Sequence, residues 1–196
     1  ASINVLSLST NLTNAGPSII FLTAGPATTL TVNSILPGNS LGKYGEGALV
    51  LNARRIGGGP TSLKQGTLTL GSAGALEPLS LLAIDPGATF DLGGNDATVG
   101  ALLHDGTTIG SFQMGQASAG TVALGANRLT LAQGLSSVFT GNITGTGGLT
   151  KGLTSSGTTT FTRPLSYTGS TLIRGGTFQL AGAGSVATNL MEIRGG

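Results

Sequence analysis

Cysteine and tryptophan are absent from this chain of 196 residues, histidine occurs once, and only 8% of positions are charged. Without cysteine there is no disulfide staple, no thiolate metal site and no cysteine nucleophile. Stability must come from packing and backbone hydrogen bonds. Aromatic residues make up 4% of the chain, and nine basic against seven acidic residues leave a net charge of +2, scattered singly except at Arg54-Arg55. The basic runs and aromatic platforms of nucleic-acid binding are therefore missing, and no nucleic-acid partner is expected. No apolar run approaches the roughly 18 residues of a membrane helix, and no basic-then-apolar leader opens the chain. That pattern reads as a soluble piece of a longer protein. Helical stripes are missing too, because Gly, Thr and Ser interrupt almost every window at i, i+3, i+4 spacing.

What is present is glycine, at 35 positions, beside 39% hydrophobic residues. This is too apolar for a disordered chain, so a core is expected. Short alternating or β-branched runs predict strands at Ile3-Leu8, Ile19-Leu22, Leu30-Ile35, Ala48-Leu51, Thr67-Leu70, Leu81-Ile84, Thr89-Leu92, Thr107-Met114, Thr121-Leu124, Arg128-Leu131, Thr158-Thr162, Thr171-Arg174, Thr177-Leu180 and Leu190-Arg194. Turns such as Asp85-Pro86-Gly87, Gly93-Gly94-Asn95-Asp96 and Gly125-Ala126-Asn127 separate them. One phrase recurs: GTLTL at Gly66-Leu70, GATFDL at Gly87-Leu92, GTVAL at Gly120-Leu124, GTTTF at Gly157-Phe161 and GTFQL at Gly176-Leu180, with starts 21, 33, 37 and 19 residues apart. A sandwich would also supply short strands, but a repeated phrase argues that equivalent positions stack, Leu over Leu and Thr over Thr. The expected fold is all-β, a right-handed parallel β-helix of roughly ten coils of about 17–21 residues with loop excursions. Gly turns the corners and Thr or Ser fills the outward strand positions.

The stretch GGLTKGLTSSGTTTFTRPLSYTGSTLIRGGTFQLAG, Gly147 to Gly182, resembles the passenger-associated β-strand repeat of Gram-negative autotransporter passenger domains. Lys151, Tyr167, Thr168, Gly169, Gly175, Gly176 and Thr177 carry the match. LAIDPGATFDLGGNDATVGALL, Leu82 to Leu103, is similar to the segment preceding that repeat, and GNITGTGGLTK joins the two in the expected order. The resemblance is strongest over 66–182, within a single β-helical segment spanning 1–196. Arg163-Pro164-Leu165-Ser166 departs from the pattern before the Tyr and is expected to form a local loop. The resemblance implies a passenger exported to the bacterial surface, or secreted, and tethered through a C-terminal barrel that lies outside this chain.

Catalytic chemistry has little to build on. The acids Glu46, Glu77, Asp85, Asp91, Asp96, Asp105 and Glu192 lie mostly in turns, where an aspartate usually bonds its own backbone. The single histidine, His104, has Asp105 as its chain neighbour, and neighbours on a strand face opposite sides. No GxSxG phrase supplies a nucleophile. RIGGGP, Arg55 to Pro60, lacks the Gly-Lys-Ser/Thr ending of a phosphate loop and reads as an excursion from the coil. Arg54, Arg55 and Lys64 around it are either solvated loop charges or a basic contact patch for an anionic surface polymer. No catalytic residue, cofactor or metal is expected.

The function that the resemblance implies, with no catalytic constellation beside it, is non-enzymatic: an adhesin or self-association module and structural stalk. Its partners would be host surface or matrix molecules, glycans, or copies of itself, met through many weak contacts. The alternative is the stalk of a protease- or esterase-bearing passenger whose catalytic domain lies elsewhere. Regular outward Thr ranks binding ice or carbohydrate surfaces would be a third role.

Overall fold

A computed structural model describes residues 2–5, 19–22, 27–37, 40–103, 108–109, 112–113, 120–132, 134–154, 156–188 and 190–194. Its regular elements are all strands, nearly all paired in parallel, and they wind into a β-solenoid. Three faces recur along the coil. The first stacks Ser2–Val5, Thr29–Val32, Ala48–Leu51, Thr67–Leu70, Thr89–Asp91, Thr121–Ala123 and Asn142–Thr144 in one seven-stranded sheet. The second stacks Ile19–Leu22, Leu41–Tyr44, Thr61–Leu63, Leu81–Ile84 and Ala101–Leu103, and farther along the chain Ser137–Phe139, Thr158–Phe161 and Thr177–Leu180 form a sheet of their own. The third stacks Ala97–Val99, Arg128–Leu131, Gly148–Lys151, Thr171–Ile173 and Met191–Ile193.

The register explains the apolar beat. Leu30, Leu49, Leu68, Phe90, Val122 and Ile143 stand over one another in a single inward column. Beside them Thr29, Ala48, Thr67, Thr89, Thr121 and Asn142 form an outward column. Period-2 alternation on each short strand thus becomes a continuous core along the axis. Phe139 meets Phe161 edge-on at 6.3 Å between ring centroids, and Phe161 meets Phe178 at 4.8 Å, so aromatic stacking extends that core.

Backbone approach at the corners dictates glycine. Gly66 turns with φ of 69°, and a Cβ there would stand 2.3 Å from the Gly47 carbonyl oxygen of the preceding coil. At Gly147 a Cβ would stand 1.8 Å from the Asn127 carbonyl oxygen. Coils stacked this closely leave no room for a side chain at such corners.

Four expectations need correction. The solenoid has about seven turns, not ten, since the seven-stranded face steps by 19, 19, 22, 32 and 21 residues from Thr29 to Asn142. The 32-residue coil contains the segment read as one strand, Thr107-Met114; it holds two short antiparallel strands, Thr108–Ile109 and Phe112–Gln113. Arg163-Pro164-Leu165-Ser166 is not a loop, because Pro164–Leu165 pairs in parallel with Ser185–Val186 and buries Leu165. Proline is tolerated there as the first residue of its strand. Finally, the five repeated phrases do not share one column. Thr67, Thr89 and Thr121 stack on the first face, whereas Thr158 stacks on Thr177 in the other sheet. The phrase encodes a corner followed by a strand, and every face needs both.

Candidate functional site

The cations singled out from the sequence do not form one outward patch. Arg54 is exposed and pairs with Glu77 at 3.0 Å, and Lys64 pairs with Asp85 at 3.3 Å. Arg55 turns inward from its short strand Arg55–Ile56, is fully buried, and donates through Nη1 to Gly59 O, Thr61 Oγ1 and Ser80 Oγ. Burial lowers its pKa, and the Glu77 charge opposes that shift. The guanidinium thereby holds the Gly-rich corner against the second face. Of the turn acids, Asp91 accepts the Gly93 N–H at 2.9 Å and Asp96 the Arg128 N–H at 2.8 Å. His104 and Asp105 lie outside the described residues.

Two lysines are also drawn inside. Lys43, fully buried, donates to the carbonyl oxygens of Tyr44 at 2.8 Å, Gly45 at 2.6 Å and Gln65 at 3.0 Å. Burial pulls its pKa from 10.5 to about 8. Lys151, whose pKa burial also lowers, donates to Thr159 Oγ1 at 3.1 Å. Tyr167 is buried and shares a short hydrogen bond with Thr171, and burial raises its pKa against the opposing effects of that bond and of the Arg128 charge. These groups brace the interior and present no reactive atom at the surface. Among the described residues, no three His, Cys, Asp or Glu side chains gather where a metal ion could be held.

The surface feature that stands out is a groove of about 550 Å³ on the outer side of the third face. Its floor is laid by the outward column Thr130, Thr150 and Leu172, with Ala132 and Gly152 leaving it low at one side. Arg128 enters from the start of one strand and Arg174 from just past the end of the strand two coils on. Leu153 and Thr154 rise along the rim. Arg128 lies over Gly148 and donates to Thr150 Oγ1 at 2.9 Å and Ser170 Oγ at 2.7 Å. A Cβ at Gly148 would stand 2.8 Å from the guanidinium, so the bare glycine is what lets the arginine lie across the coils. The exposed Arg174 guanidinium has no hydrogen-bond or ion-pair partner among the described residues. No carboxylate lines the groove.

Sequence reading missed this site because its two arginines belong to different strands, and only the coil stacking brings them to one face. The available signal was positional: Arg128 opens RLTL and Arg174 closes TLIR, two strands of the same face.

No protein-family model matches the chain, and no solved structure matches it. Among curated proteins, the chain is similar to the adhesin BmaC autotransporter of Brucella suis biovar 1 (strain 1330), with 39% identity. The similarity covers 83% of this chain and 5% of the length of that relative. A parallel β-solenoid with stacked inward columns, together with similarity to an autotransporter adhesin over 83% of this chain, fits an autotransporter passenger.

Proposed function

We propose that this segment is a non-enzymatic, adhesive stretch of a passenger, with the outer side of the third face as its contact surface. The observation that carries the reading is the Arg128–Arg174 groove: two cations over a floor of threonine hydroxyls with no carboxylate in its lining, the flanking Asp96 being bonded to the Arg128 N–H and Glu192, one coil beyond Leu172, being paired with Arg194. The protein is surface-displayed or secreted, and there a rigid stack of coils holds such a face in fixed geometry away from the cell. Binding through shallow contacts gains strength from many copies acting at once. Coil stacking also supplies the stalk, since each coil rests only on its neighbours.

The test is adhesion of beads coated with this chain to cultured epithelial cells and to immobilised matrix. Arg128→Gln with Arg174→Gln is expected to reduce bead retention several-fold while the folded β signal in circular dichroism is unchanged. Retention equal to wild type in that double variant would move the contact surface off the third face, and wild-type-coated beads retained no better than uncoated ones would remove adhesion from this segment.

A further inference from the structure

We infer that the groove recognises linear acidic glycans, with sugar carboxylates seated on Arg128 and Arg174. This rests on the adhesive reading above and gives it a ligand class. Charge is the first argument. Arg128 spends N–H groups on two neutral hydroxyls, Thr150 and Ser170, which orient the guanidinium without neutralising it. A guanidinium carries five N–H donors, so enough remain for a bidentate carboxylate contact. Arg174, exposed at the opposite corner, supplies a second charge.

Shape is the second argument. Arg128 and Arg174 lie on coils two steps apart, about 10 Å along the axis at the usual strand spacing. The depression between them crosses the outward Thr130, Thr150 and Leu172 column diagonally, with Ala132 and Gly152 keeping it low on the Arg174 side. An extended polymer carrying charge at intervals fits such a track better than a compact ligand does. Hydroxyl chemistry is the third. Thr150 Oγ1 accepts from Arg128 and keeps its own hydrogen to donate, whereas Thr154 Oγ1 donates to Ala132 O at 2.7 Å and keeps its lone pairs to accept. Sugar hydroxyls are both donors and acceptors and can use both. Leu172 and Leu153 offer apolar surface to the C–H faces of sugar rings. Because Arg128 is held in place before any ligand arrives, little side-chain freedom remains to be lost on binding.

The experiment is titration calorimetry with hyaluronan decasaccharide, with neutral dextran and poly-glutamate as comparison probes, on wild type and on Arg128→Gln and Arg174→Gln. Unchanged thermal midpoints certify folding of each variant. Hyaluronan is expected to bind and dextran not, with each Gln variant losing about tenfold in affinity, equivalent to about 1.4 kcal/mol. Added salt should weaken the wild type more than either variant. Equal binding of dextran, equal affinity in the Gln variants, or tighter binding of poly-glutamate than of hyaluronan would each overturn the inference. If hyaluronan fails to bind while coated beads still adhere through Arg128 and Arg174, the glycan assignment falls and the adhesive reading survives. If bead adhesion itself is absent, that reading fails on its own evidence.

Discussion

Lys43 shows what a single residue does inside this coil. It is paired between Phe21 and Leu63, its ammonium is buried, and three carbonyl oxygens satisfy its three N–H donors. Its folded pKa of about 8 lies below the unfolded value of 10.5, so between those values the unfolded chain holds a proton that the folded one has released. Stability therefore rises with pH across that window, and Lys151 adds in the same direction. Tyr167 acts oppositely. Its folded pKa lies above 10.0, so the unfolded chain loses its proton first and stability falls as pH climbs past that point. Thermal midpoints measured from pH 7 to 11 are expected to rise and then turn over near pH 10. Tyr167→Phe should flatten the fall and Lys43→Met the rise. A steady decline from pH 8 to 10 in the wild type would show that the carbonyl cage keeps Lys43 charged.

At the scale of the element, corner and strand form one unit, and glycine sets how closely successive units stack. Gly147→Ala pushes a methyl group into the Asn127 carbonyl, an oxygen already engaged by the Gly148 N–H at 3.1 Å. Such a clash is borne by backbone, with no flexible side chain to yield. We expect a loss of about 2–4 kcal/mol in denaturant unfolding. A change below about 0.5 kcal/mol would mean that the corner relaxes freely. The recurring Gly-Thr phrase was legible as strands and turns from sequence, because alternation and positive-φ corners are local properties. Leu41–Tyr44 and Gly148–Lys151 were not, since an inward lysine and a strand glycine break the alternation that marks a strand. Their strand conformation is imposed by neighbouring coils.

For the whole molecule, stability is a sum over neighbouring coils, with few contacts reaching farther. Phe90 lies mid-stack between Leu68 and Val122 and is fully buried. Phe90→Ala should cost about 3–5 kcal/mol. That loss should be felt unevenly. Amide hydrogen exchange is expected to speed up in Thr67–Leu70 and Thr121–Ala123 while Thr158–Phe161 keeps its protection. Uniform acceleration along the chain would instead mark one cooperative unit and contradict nearest-neighbour stacking.

Alternation, glycine corners and the recurrence of one corner-plus-strand phrase suffice to read a parallel β-solenoid in the chain, because each copy of the phrase is written in a few residues. Which phrase lies on which face, and how many coils result, was decided by tertiary structure, since a corner-plus-strand phrase is the same wherever it sits on the circuit. The same holds for the charges. Arg55 looks like a surface cation beside Arg54, yet its strand register turns it into the interior. Arg128 and Arg174, unremarkable in the sequence, meet at one groove because stacking places their coils two steps apart on one face.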